Sequence, residues 1–151
     1  MRAHILLADA AAAHPDGTFS LLRGGLNLVT APKTRPITFQ GAIVVRIVGS
    51  LGDAGAHDLR VRILNADGHP IAPDIALRFT IPDGGGAVQL VSPFALVLPA
   101  YGRYSFTVSV DRQEQDSSEV NADPPPAPGS SAGGGMAASV AGMPVGPGSW
   151  R

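Results

Sequence analysis

The sequence predicts an all-β protein: an antiparallel β-sandwich of about seven or eight strands, immunoglobulin-like or C2-like, followed by a disordered C-terminal tail. Three observations predict it. Apolar residues recur at every second position through most of the first part of the chain. Asp-Gly and glycine-rich turns separate these runs. No ten-residue stretch of the same region has convincing helical periodicity. A closed barrel is the second architecture that such a pattern allows.

The elements follow in order. Ala3–Ala8 is an apolar strand closed by Asp9, which either caps a turn or pairs with an arginine. Ala8–Ala13 has the alanine content of a helical turn, which Pro15 would end. Asp16-Gly17 turns the chain into a strand over Phe19–Arg23, and Leu26–Val29 offers another. Ile37, Phe39, Ile43, Val45 and Ile47 form one side of a long strand, with Thr38, Gln40, Ala42, Val44 and Arg46 on the other. Leu59, Val61 and Ile63 alternate with Arg60 and Arg62, and Asp67-Gly68 follows. Ile75, Leu77, Phe79 and Ile81 alternate with Ala76, Arg78 and Thr80. Asp83-Gly84-Gly85-Gly86 leads into Val88–Leu98. Pro93 interrupts that run, and because proline has no N–H to give a ladder it marks an edge strand or a bulge. Tyr104, Phe106, Val108 and Val110 are the apolar side of the last long strand, entered through Gly102. Greek-key sandwiches often place a tyrosine there whose hydroxyl bonds back to nearby backbone. The plainer alternative is a core tyrosine with its hydroxyl at the rim.

Composition divides the chain into a sandwich over residues 1–113 and a Pro/Gly/Ser-rich tail over 114–151. Ser117–Val120 offers a weak closing strand. Without it, the last long strand would expose an edge on which a second copy could pair. The proline run 124–128 reads as a stiff linker and the Gly-Ser run as a flexible one.

Charge and composition exclude several roles. Net charge is −1, so no global field draws the chain to nucleic acid or an anionic membrane. Cysteine is absent, which removes disulfides, thiol nucleophiles and thiolate metal sites and fits a cytoplasmic location. The N-terminal run Ile5–Ala8 is cut by Asp9, well short of an export signal, and no segment is long enough to span a membrane.

No catalytic constellation stands out, and the expectation is a protein that is not an enzyme and needs no cofactor. His4, His14, His57 and His69 are scattered. Gly84-Gly85-Gly86 lacks the lysine and helix of a phosphate loop. Asp53, Asp58, Asp67, Asp83 and Asp111 sit singly near strand ends, as turn-forming aspartates do, without the clustering of a calcium site. Two candidate binding features remain. Arg46, Arg60, Arg62 and Arg78 lie on the polar sides of strands; side by side they would form an arginine stripe suited to an anionic ligand. With few aromatics beside it, the stripe makes a poor platform for single-stranded nucleic acid. Trp150 and Met143, near the end of the tail, form a candidate docking motif for a partner protein.

The segments LLADAAAAHPDGTFSLLRGGL, GAIVVRIVG, VRILNADGHPI and GRYSFTVSVD, in that order, resemble a family of short bacterial proteins known only as a domain of unknown function. The resemblance spans about residues 4 to 111 and implies a small immunoglobulin-like or C2-like sandwich, with no activity attached. The chain departs from the pattern in two places. Asp111-Arg112 stands where an Asp-Gly turn is usual, and the long Pro/Gly tail is an addition. Together these readings lead to a non-enzymatic interaction or scaffold module, with anion binding through the arginine face as the alternative.

Overall fold

A computed structural model describes residues 1–32 and 36–129. Ten strands form in chain order: β1 (Arg2–Ala8), β2 (Ala10–Ala13), β3 (Phe19–Leu22), β4 (Leu28–Thr30), β5 (Ile37–Gly49), β6 (Gly55–Asn65), β7 (Ile75–Ile81), β8 (Gly86–Leu98), β9 (Gly102–Val110) and β10 (Gln113–Asp123). The only helical element among the described residues is a 3-10 turn at Leu51–Asp53. One sheet has the order β1-β5-β8 and the other β4-β10-β9-β6-β7, while β2 and β3 form a separate hairpin. All pairings are antiparallel except β4 with β10.

Alternation determines which side chains the two sheets share. Ile5, Leu7, Ile37, Phe39, Ile43, Val45 and Ile47 of the smaller sheet meet Leu59, Val61, Ile63, Phe79, Phe106, Val108 and Val110 of the larger one in a single buried cluster. Phe94 lies edge-on to Phe39, ring centroids 4.9 Å apart, and 5.5 Å from Phe106. Gly41 makes room for this ring: a Cβ there would stand 2.6 Å from the Ala8 carbonyl oxygen and 3.0 Å from Phe94. Ala8, Ala42 and Val44 are also buried, outside the main cluster. β2 lies against β5 and β8, which accounts for the lack of polar residues at these positions.

Tyr104 is a corner tyrosine. Its ring is 3% exposed. Its hydroxyl donates to the Ala100 carbonyl at 2.7 Å and accepts from the Ala100 N–H at 3.3 Å. This ties the β8–β9 connection to the start of β9. Nearby, the Tyr101 hydroxyl reaches the Ala31 and Pro32 carbonyls at 3.3 and 3.0 Å and anchors the end of β4. β8 is an edge strand, and its pairing with β5 runs through Pro93 without a register shift. An edge position allows that, because a proline nitrogen turned away from β5 removes no bond from the ladder. Asp9 pairs with Arg23 at 3.0 Å.

Three expectations are corrected. The alanines 10–13 form a strand, because pairing with Phe19–Leu22 across the Asp16-Gly17 turn outweighs intrinsic helix propensity. The closing strand is not a weak element at 117–120 but the eleven-residue β10, so the sheet extends well past residue 113. It is hard to see in sequence because only Val120 and Ala122 of its residues are buried, while Asp116 and Ser118 occupy the same set at partial exposure. A β-bulge between Glu114 and Asp116 aims the Asp116 carboxylate at β1, where it accepts the Ile5 N–H at 3.0 Å. Finally, β10 covers the outer edge of β9, so the edge expected to drive self-association is occupied, and β4 pairs in turn with the last three residues of β10. The tail from residue 130 onward lies outside the described residues.

Removing the corner hydroxyl by Tyr104→Phe leaves two backbone groups of Ala100 without their partner, and urea unfolding should show a loss of about 1 kcal/mol. Gly41→Ala should cost about 1–3 kcal/mol in the same assay, since the nearest atom to the new methyl is a backbone oxygen that cannot rotate away.

Candidate functional site

The outer face of the larger sheet carries the strongest concentration of charge. Alternation along β6 turns Asp58, Arg60 and Arg62 outward while Leu59, Val61 and Ile63 enter the core. Register then sets their neighbours. Arg78 of β7 lies opposite Asp58, and its Nε reaches Asp58 Oδ1 at 3.1 Å. On the β9 side, Ser109 and Thr107 lie opposite Arg60 and Arg62. Asp74, just before β7, stands 3.6 Å from Arg60 and 3.5 Å from Arg62. Asp58, Arg60, Arg62, Arg78, Thr107 and Ser109 line an open depression of about 960 Å³, bounded at one end by the β9–β10 turn with Asp111 and Arg112.

Three of the four arginines singled out in the sequence therefore come together. Each keeps more than half of its side chain exposed. Arg46 does not join them. It is on the outward side of β5, in the other sheet, between His4 and Gln89 in register, and so faces away on the far side of the sandwich. On the depression, Arg60, Arg62, Arg78 and Arg112 are matched by Asp58, Asp111 and Glu114, with Asp74 paired to Arg60 and Arg62 beside it. The face is charged but nearly neutral overall. Trp150 and Met143 lie outside the described residues.

A second constellation, at the rim of the same face, was not visible in the sequence. His57, at the start of β6, places Nδ1 2.7 Å from Asp111 Oδ2 and Nε2 2.8 Å from the Asp53 carbonyl oxygen. Its ring stacks on Phe79, centroids 5.5 Å apart. The Asp111 carboxylate raises the His57 pKa above its ordinary 6.5, with the Asp53 carbonyl adding to the effect. In turn, His57 and the Asp58 N–H hold the Asp111 carboxyl below its ordinary value. Asp53 is held down to about 2, first by the Ser50 N–H, then by the Ser50 hydroxyl, then by the Met1 ammonium at 3.1 Å. His57 and Asp111 are 54 residues apart, and only the register of β6 on β9, which pairs Leu59 with Val110, brings them together.

The Asp111–His57 pair has the look of the orienting half of a catalytic triad, but its chemistry is different. A general base needs a free imidazole nitrogen within reach of the proton it removes. Here both nitrogens face oxygens that only accept, so both bonds form together only when the ring carries two protons. The arrangement suits a doubly protonated ring, which the raised pKa favours.

Comparison with known proteins adds one finding. The sequence profile of a family of unknown function, DUF6941, matches residues 3–122. That match includes β10, so the last strand belongs to the family pattern although its polar sequence hides it. No curated protein matches the chain.

Replacing Asp111 by Asn removes the largest influence on His57. The titration midpoint of its ring, followed by NMR, should fall toward 6.5.

Proposed function

We propose, from the premise that the chain belongs to DUF6941, that it is a non-enzymatic interaction module whose partner protein docks on the outer face of β7-β6-β9-β10. One observation carries this reading: Arg60, Arg62 and Arg78 project side by side from a sheet and are oriented by Asp74 and Asp58 while staying more than half exposed. Arginine favours protein interfaces because its planar guanidinium stacks and forks at modest desolvation cost. The contacts to Asp74, at 3.5–3.6 Å, are long, so a partner's carboxylate could exchange for them at little loss.

The second reading, an anionic small molecule, is favoured by the Thr107 and Ser109 positions beside Arg62 and Arg60. Nucleic acid fits less well, since the balanced charges on this face would release few counterions.

The test uses the purified full-length chain. A partner retained by the wild type should be bound about tenfold more weakly by the double variant R60E/R62E, and more weakly by both at high salt. Equal retention would overturn the docking reading. Calorimetric titration with inorganic phosphate separates the alternatives: saturable heat that disappears in R60E/R62E supports the small-anion reading.

A further inference from the structure

The geometry points to a proton-operated clamp at the rim of the arginine-bearing face: with His57 doubly protonated, the β9–β10 turn is held against the start of β6, and loss of one proton releases it. The turn has something to release. Asp111 and Arg112, its two central residues, have φ of 48° and 71°, and neither is glycine. Hairpin turns of this kind prefer Asn-Gly or Asp-Gly, since a side chain in the left-handed region is strained. Such strain persists only where the surroundings over-determine it.

The surroundings are all on the page. Asp111 donates its N–H to the Asp58 carbonyl at 2.9 Å and accepts the Asp58 N–H on Oδ1 at 3.0 Å. The third tie is His57 on Oδ2. The charged groups around His57 are Asp111 and Arg112 on the turn, Asp53 on the 3-10 turn with the Met1 ammonium, Asp58 on β6 and Arg78 on β7. Phe79 closes one face of the ring, leaving the side chain 15% exposed.

Neutral imidazole has one N–H and one lone pair. Whichever nitrogen loses its proton then faces an acceptor, so one of the two ties becomes a repulsion. The sign follows from the shifts. The His57 pKa is raised, so its contribution is complete below 6.5 and is lost as pH rises through the folded-state value. The Asp111 pKa is lowered, so its contribution is complete above 3.8 and is lost on acidification through the folded-state value. The clamp is fully closed between these limits and opens on the alkaline side. Asp111 and Arg112 both line the depression, so an open turn reshapes its rim. That regulatory consequence rests on the docking reading, whereas the clamp does not.

The experiment uses full-length protein and two readouts. Ring nitrogen NMR of His57 should show two N–H groups at pH 6 and one at a pH above its titration. Over the same range, amide exchange at Asp58 and Asp111, corrected for intrinsic rates, should lose about tenfold in protection, while amides at the centre of β5 stay unchanged. In His57→Gln, which cannot titrate, protection of the turn should be flat with pH. Turn protection that stays constant while the wild-type ring titrates overturns the clamp, as does an equal loss in His57→Gln. Should that variant not fold, the wild-type comparison decides alone. Partner retention measured at the same two pH values separates the readings: a turn that opens with retention unchanged keeps the clamp and removes its control over docking.

Discussion

The sandwich closes on the passage of Phe94 across Gly41. The ring sits in a space no other residue at position 41 would leave, and it touches Phe39 of its own sheet and Phe106 of the other. With the ring in place, the inward sets of β5 and β9 lie within packing distance, and the β-branched residues around them can interdigitate. The outer faces are then fixed as well. Because side chains alternate strictly, committing Leu59, Val61 and Ile63 to the core commits Asp58, Arg60 and Arg62 to solvent. A slip of one residue in β6 would bury three charges, so the charged face is as firmly specified as the core.

Much of this was legible in the sequence. Period-2 alternation located β5, β6, β7 and β9 closely, Pro93 marked an edge, and Gly102-Arg103-Tyr104 marked the corner. What escaped notice shares one physical character. β10 is held by its ladders to β9 and β4 and by a carboxylate on the backbone of β1, and none of these needs apolar side chains. β2 owes its conformation to a partner strand. Arg46 is indistinguishable by local pattern from Arg60 and Arg62, because which sheet a strand joins is a property of topology. The His57–Asp111 and Asp74–Arg62 contacts depend on register and loop path, which local pattern does not encode.

The charged face and the histidine share β6: Asp58 opens the outward row of charges, and His57, one residue earlier, falls on the inward side against Phe79. Such an arrangement couples the two sites without any long-range path. On the clamp proposed above, a change at the rim would act on the depression directly through Asp111 and Arg112, which line it, as a displaced wall would.

Pro93 has a consequence beyond marking an edge. β8 is thirteen residues long and is among the most apolar strands of the protein, and its outer side is a row of backbone groups without a ladder partner. A nascent or partly unfolded copy meeting that row could zip along it as amyloid-forming segments do. The proline offers such a strand no hydrogen at the middle of the row, so a templated ladder would break into two short stretches before it could grow. One ring placed mid-strand thus works against the spread of such a ladder along β8.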